Sequence, residues 1–351
     1  MTSLSSGSAD GEARRATIRD VARLAGVGTK TVSRVANDEP NVAPDTAERV
    51  RQAMAQLRWE PDLGARNLRR SDGRTHTIGL LVGSVTNPFA AQVSRAIEDV
   101  AARRGSAVFI STLEEDPDRE LASVATLMRR RVDGIALMPI APSQGYLQPE
   151  IDRGLAVVCV DREPRGIALD AVRSDSRTAA TIATRHLLRR GHRRVALLLD
   201  REDLWTAQQR RLGFEDAVRA VGLDGEDYPI LPGLRDAESS SMAVARLMKS
   251  EAPPTALFCG KNLITFGAVR ALQRLGLQHK IAVVGFDDFE FADLLDPGVT
   301  VIAQRPSQIG RLAAERLFAR IERPAAWTPE VIDVPTDLIE RGSGEIPPPP
   351  A

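Results

Sequence analysis

Two groups of residues in this sequence have types and spacing suited to chemistry. The first is the run Thr29 to Ala36. At about 100° per residue, Thr29, Lys30, Ser33 and Arg34 share one side of a helix, and Thr31, Val32, Val35 and Ala36 share the other. The second side is largely apolar and can anchor. The first offers hydroxyls, an ammonium and a guanidinium, groups able to read base edges and phosphates in a major groove. Periodicity alone leaves open an ordinary amphipathic helix with a solvated polar face. The second group lies one or two residues past strand-like runs: Ser84, Asp161, Asp200, Lys261, Asp287 and Gln304, with Phe89, Trp205 and Arg210 from neighbouring stretches. In parallel α/β lobes ligands sit at the carboxyl ends of strands. A polar set of both charges with aromatic flanks suits a sugar or another hydroxylated metabolite.

Catalytic constellations are missing. The sequence has no Gly-x-Ser-x-Gly, His-Glu-x-x-His, Cys-x-x-Cys, Walker loop or dinucleotide glycine run, so no enzyme activity, cofactor or metal is expected. Asp287 and Asp288 are adjacent, and neighbours leaving a strand point opposite ways; one is expected to face ligand and the other to pack. His192, beside Gly191, reads as satisfying a loop, and His76, His186 and His279 are scattered. Cys159 and Cys259 sit in apolar strand-like runs, as reduced, buried thiols would.

These groups need elements to hold them. With 351 residues the chain has room for two or three domains. Hydrophobic residues make up 43% and charged residues 27%, with no apolar run of membrane-spanning length, so a soluble, globular body is expected. The first fifteen residues lack an apolar signal core, which makes the cytoplasm the default location. Overall charge balances at 47 basic against 47 acidic residues, and this gives no hint of nucleic acid. Residues 17–74 nevertheless carry eleven basic against eight acidic side chains, gathered mostly as Arg66, Arg69, Arg70 and Arg74.

Thr17 can cap a helix from Ile18 to Ala25, ended by Gly26 in the left-handed conformation. The next helix begins within three residues, as a helix-turn-helix requires. Pro44 and Asp45 open a third, Thr46 to Leu57, with Ala47, Val50, Met54 and Leu57 on one stripe. From Thr77 onward strand-like runs (78–82, 107–111, 134–138, 156–160, 195–199, 256–259, 281–285) alternate with amphipathic ones (90–104, 120–131, 176–190, 263–275), the pattern of βαβ units and parallel sheet. About ten strands exceed one compact sheet, so two similar α/β lobes are expected. The expected organisation is a disordered tail (1–15), a helix-turn-helix headpiece (16–60), a hinge helix and linker (61–75), a bilobed core (76–341) and a disordered proline-rich tail (342–351). Within the core the N-lobe takes 76–173 and 305–332, and the C-lobe 174–304 and 333–341.

Thr17-Ile18-Arg19-Asp20-Val21-Ala22, Ala25-Gly26-Val27 and Thr31-Val32-Ser33-Arg34-Val35 resemble the headpiece of the lactose-repressor (LacI/GalR) family of bacterial transcription regulators. The match continues through Pro61, Ala65-Arg66, Leu68, Ile78-Gly79-Leu80, Asn87-Pro88-Phe89 and Asp161-Arg162. It runs on through Gly191-His192-Arg193-Arg194 and Arg210-Arg211-Leu212-Gly213-Phe214 to Val284-Gly285-Phe286-Asp287-Asp288. Nearly all of residues 17–340 is covered. The resemblance implies two doubly wound parallel-sheet lobes of periplasmic-binding-protein type behind an α-helical headpiece, and a repressor that binds a palindromic operator as a homodimer under allosteric control of a sugar-like effector.

By this resemblance Thr29, Lys30 and Arg34 read bases, Thr31 and Ser33 touch phosphates, and Thr17 and Asn37 join the DNA-contacting set. Ala65, Arg66 and Leu68 lie in the hinge helix, Leu68 as the minor-groove wedge. Effector contacts fall at Phe89, Asp161, Arg210, Lys261, Asp287 and Gln304, with Trp205 added from the reading above. Two departures stand in the headpiece, where Gly28 and Ala43 replace frequent serine caps. A third is Lys261 in place of the usual asparagine. It either pairs an anionic group on the ligand, admitting a sugar acid or sugar phosphate, or salt-bridges Asp287 or Asp161. Beyond Glu340 no leucine heptad offers a tetramerising bundle. A periplasmic-type sugar-binding protein without a transcriptional role is the alternative, disfavoured by the headpiece and the missing signal peptide.

Overall fold

The computed structural model describes residues 16–37, 39–60, 74–223, 228–323 and 328–350. The polar tail 1–15 and the hinge segment with Ala65, Arg66 and Leu68 lie outside the described residues. The chain divides into two compact units, Met1–Thr75 and His76–Ala351.

In the first unit three helices, α1 (Ile18–Ala25), α2 (Thr29–Ala36) and α3 (Pro44–Gln56), close around Val21, Val32 and Val50, none of which meets solvent. Full burial of such a side chain contributes about 1.5–3 kcal/mol. Met54, Leu57 and Trp59 pack against this core. The Asp20 carboxylate accepts from the backbone N–H (2.9 Å) and hydroxyl (2.6 Å) of Thr17, fixing the start of α1. Gly26 ends it at φ 67°, a left-handed conformation that lets the chain turn straight into α2. Gly28 and Ala43 stand at the N-caps of α2 and α3 with no side-chain cap, and Pro44 occupies the first turn of α3 instead.

The second unit holds two six-stranded sheets. The first comprises β1 (Thr77–Val82), β2 (Ala107–Thr112), β3 (Gly134–Leu137), β4 (Ala156–Val160), β5 (Asp170–Ser174) and β11 (Val331–Val334), in the order β11-β5-β4-β3-β1-β2 and wholly parallel. The second comprises β6 (Val195–Leu198), β7 (Ile230–Leu231), β8 (Ala256–Cys259), β9 (Ala282–Phe286), β10 (Thr300–Ala303) and β12 (Asp337–Ile339), in the order β12-β10-β9-β8-β6-β7. Here β12 is an antiparallel edge strand. The order reverses between β1 and β3 and again between β6 and β8, so each lobe has a switch point where strand ends diverge and leave a crevice.

Helices cover both faces. They are α4 (Pro88–Arg103), α5 (Pro117–Arg129), α6 (Gln148–Asp152), α7 (Ser176–Arg189), α8 (Trp205–Arg219), α9 (Ala237–Leu247), α10 (Asn262–Leu275) and α11 (Pro306–Glu322). Separate apolar clusters line the two faces of each sheet, with Phe214, Phe258 and Phe286 fully buried in the second lobe.

Two expectations need correcting. The last crossover between lobes falls between Val334 and Asp337, because β11 pairs with β5 through Val334↔Ser174, placing Asp333 and Val334 in the N-lobe. And residues from Gly342 onward, expected to form a tail that cannot pack, are tied down. Ser343 is buried, with its Oγ accepting from Thr300 N (2.9 Å) and donating to Val283 O (2.6 Å). Glu345 meets His186 Nε2 at 2.6 Å, and Ile346 O lies 2.9 Å from His192 Nε2. Prolines exclude helix and inner strand, but they permit an extended strap held by polar side chains.

Candidate functional site

In the headpiece, Thr17, Thr29, Lys30 and Arg34 are exposed, Thr31, Ser33 and Asn37 half-buried, and Val32 and Val35 buried. Helical spacing has therefore sorted the side chains as expected, leaving one polar and cationic face on α2. Among the described residues Arg34 has a loose ionic neighbour, Glu39 at 3.9 Å with both side chains half exposed, a contact worth little and easily surrendered to a phosphate or base edge.

In the core, strand ends bring the second group together. Asp161 follows β4 and Asp287 follows β9, at equivalent places in the two lobes. Each adopts a left-handed backbone, φ 67° and 72°, and each sends its N–H to the next strand, Asp161 N to Val172 O and Asp287 N to Ile302 O, both 2.9 Å. Such a conformation costs a non-glycine residue roughly 1 kcal/mol and aims the side chain off the strand line, a device concentrated at ligand clamps. Arg210, on α8, lies between the lobes' acids. It donates to Gly260 O at 2.6 Å and stacks over Phe286 with its guanidinium carbon 3.7 Å from the ring centroid. Gln304 Nε2 donates to Asp287 Oδ1 at 2.5 Å.

Around these groups is a recess of about 50 Å³ lined by Asn87, Phe89, Asp161, Arg162, Arg210, Lys261, Asp287 and Gln304 among others. Beside it lies a chamber of about 280 Å³ that shares Asn87, Phe89, Asp161, Arg162 and Lys261 and adds Ser84, Glu114, Arg235 and Leu263. Three buried polar atoms of the recess, Arg162 Nε, Arg210 Nε and Gln304 Oε1, have no hydrogen-bond partner among the described residues. A buried donor and acceptor left unmade cost about 1–3 kcal/mol each, so a ligand that supplies an acceptor and a hydroxyl donor is rewarded. Burial raises the Asp161 carboxyl above its ordinary value, with Asp287 and Glu115 adding to it against Arg162 and Arg210. Burial likewise lowers Arg210.

Lys261 follows β8 and Asp200 follows β6, so their side chains straddle the C-lobe switch point. They pair at 2.5 Å, and both are mostly buried. The partner of Lys261 is thus Asp200, not Asp161 or Asp287. Trp205 is a correction too. It opens α8 but lines a separate crevice with Pro139, Gln144 and Arg165, its ring covered by Arg173 at 4.6 Å. The first turn of α8 rotates it away, and Thr206 and Ala207 face the recess instead.

Three lining residues went unread in the sequence. Asn87 caps α4 through Phe89 N (3.0 Å), and its Oδ1 also accepts from Asn262 Nδ2 of the other lobe at 3.0 Å. Arg162 grips Glu115 through both terminal nitrogens, at 2.8 and 2.7 Å. Burial pushes the Glu115 carboxyl up, but Arg162, with Lys261 and Arg201, outweighs this and the group ends below its usual value. Arg162 was visible in the Asp161-Arg162 doublet; Glu115 carried no signal, since its loop gives no pattern. Asp288 faces away, paired with Arg341 at 2.6 and 2.8 Å.

Residues 17–62 match the family model described as bacterial regulatory proteins, lacI family, and residues 75–341 the one described as periplasmic binding proteins and sugar binding domain of LacI family. The chain is 33% identical over 335 residues to the ribose operon repressor of Escherichia coli K12, covering 93% of this chain and 99% of the repressor. It is 32% identical over 310 residues to the transcriptional repressor PurR of Aliivibrio salmonicida, covering 88% and 92%. Among solved structures, the Lac repressor dimer bound to operator and the anti-inducer ONPF superposes with TM-score 0.81 at 25% identity, covering 94% of this chain and 99% of that one. A LacI family regulator from Enterococcus faecium with bound ribose superposes with TM-score 0.69 at 26% identity, covering 76% and 98%.

Proposed function

The chain belongs to the lacI family of bacterial regulatory proteins, and from that premise we propose that it is a dimeric transcriptional repressor whose hold on operator DNA is set by a neutral sugar of about ribose size. The observation that carries the ligand half is the pair of left-handed aspartates, Asp161 and Asp287, converging from two lobes on Arg210 beside an unpartnered donor and acceptor. Sugar hydroxyls donate to carboxylates and accept from guanidinium, so one ring can engage both lobes. Neutrality is supported by Lys261, which is committed to Asp200 rather than held open for a ligand acid. The ribose operon repressors among the relatives support the size.

Thr29, Lys30 and Arg34 then read bases, Thr17, Thr31, Ser33 and Asn37 contact the backbone, and Ala65, Arg66 and Leu68 act in the minor groove. Two headpieces in a dimer read two half-sites. No described helix is long and apolar enough to cross a membrane. The protein works by binding, without turning the ligand over, on DNA in the cytoplasm. A sugar held across the lobes shifts operator affinity only by its differential affinity for two lobe arrangements, typically about 1–3 kcal/mol.

The test selects operator sites from a random duplex library with full-length protein, then titrates D-ribose against the selected duplex. Asp287→Ala should abolish the sugar response and leave operator binding by ligand-free protein intact. Loss of both together would show that Asp287 serves the fold rather than the ligand.

A further inference from the structure

A second set of contacts crosses the cleft without facing the recess, and it centres on Asp203, in the loop between β6 and α8. From the N-lobe, Arg165 Nη2 donates to Asp203 O at 3.0 Å and to Gln208 Oε1 at 3.1 Å. From the C-lobe, Arg201 reaches the other way, donating to Glu115 O while its Nε donates to the Asp203 carboxylate at 2.9 Å. Asp203 thus receives one arginine on its carbonyl and directs the other with its carboxylate. The C-lobe loop is gripped from two N-lobe loops at once.

The Arg165 arm is anchored unusually deeply. Its backbone pairs with Gln144 in both senses: Gln144 N donates to Arg165 O and Arg165 N to Gln144 Oε1, both 2.8 Å. Gln144 is fully buried and donates through Nε2 to Glu120 Oε1 at 3.1 Å and Ala141 O at 2.9 Å. Glu120, on α5, is also fully buried, yet its carboxylate is saturated: Ile140 N at 2.5 Å, Ala141 N at 2.8 Å and Tyr146 OH at 2.7 Å complete the set. A buried carboxylate is tolerated only when its oxygens are filled in this way. The result is a rigid N-lobe platform that presents one guanidinium to the opposite lobe. What that guanidinium holds is the first turn of α8, whose Thr206, Ala207 and Arg210 line the recess.

We propose that Arg165 and Arg201 form a reciprocal clasp through Asp203, and that they are positioning residues which set the closed arrangement of the lobes and the placement of Arg210. The clasp stands on geometry alone; its effect on the sugar response rests on the function proposed above. Where a ligand binds only the closed form, its apparent affinity falls in proportion to the closed fraction.

Hydrogen exchange of the full-length, ligand-free protein tests it directly. Arg165→Ala should speed exchange of the amides at 203–208 about tenfold or more, the factor that about 1.4 kcal/mol of lost closure gives. Arg201→Ala and Asp203→Asn should do the same at 113–116, while Asp203→Asn, which keeps the carbonyl for Arg165, should leave 203–208 slower than Arg165→Ala does. Arg165→Lys, retaining one donor, should fall between. The melting temperature serves as the control for general damage. In parallel, Arg165→Ala should weaken D-ribose binding by a factor similar to its exchange effect. Exchange in these segments within about twofold of wild type would overturn the clasp. Accelerated exchange with no D-ribose binding by any form would uphold the clasp and remove the sugar reading instead.

Discussion

Replacing Lys261 by Met keeps the length of the side chain and removes its charge, which isolates the ion pair with Asp200. The two groups are 2.5 Å apart with side chains 17% and 10% exposed, so the attraction is felt at low screening. Removing one partner of a buried pair costs about 3–5 kcal/mol. Two features reduce that here: Asp200 Oδ1 keeps the backbone N–H of Arg201 at 2.8 Å, and the pair borders a chamber that water can enter. We expect a loss of about 2 kcal/mol, which for a domain of this size lowers the melting temperature by roughly 4–8 °C. Adding Asp200→Asn should return most of it, since no uncompensated charge then remains.

The ligand follows from the same charges. Glu115, Asp161, Asp200 and Asp287 face Arg162, Arg210 and Lys261 in the recess, so an incoming carboxylate meets a net negative lining. Calorimetric titration should give D-ribose at least about a tenfold advantage over D-ribonate, about 1.4 kcal/mol, and Lys261→Met should widen it. Ribonate binding more tightly than ribose to the wild type, and losing that advantage in Lys261→Met, would refute the reasoning: Lys261 would then leave Asp200 to meet the ligand.

Three further expectations follow. Arg34→Ala should cost about 1–3 kcal/mol at the selected operator and relax base preference, measured by competition between operator and variant duplexes; an equal loss on random DNA assigns Arg34 to the phosphates. Gly213→Ala places a methyl carbon 2.1 Å from Arg177 O, forcing α8 off α7, so chemical denaturation should show a loss of roughly 1–3 kcal/mol, and calorimetry weaker ribose binding because Arg210 rides on α8. His192 is held below its ordinary value of 6.5 by burial. The unfolded chain therefore binds the proton first, and stability present above pH 6.5 is lost as pH falls below it; the slope should flatten in His192→Gln in denaturation curves taken across that range.

What could be read from the sequence depended on whether the signal was local. Strands buried on both faces, such as β4 and β8, appear as unbroken apolar runs, and the carboxyl ends of such strands point to Asp161, Lys261 and Asp287 by counting alone. β5, β7, β11 and β12 gave no such run: Asp170 and Arg173 interrupt the first because they answer to Arg316 and Asp333, residues some 150 positions away, and the others are short edge strands with a face to water. The same reason hid Glu115 and the strap from Arg341 to Ile346, whose partners Arg162, Asp288 and His186 are supplied by the fold. Trp205 failed differently, since being next to a site in sequence says little about facing it when a helix begins there and each residue turns by about 100°. Lys261 is the instructive case. Its place at the site was fixed by strand order, but its partner was chosen by the switch point, where β6 and β8 lie side by side and bring Asp200 within reach. The neutral ligand proposed above therefore rests on a contact between residues sixty-one positions apart.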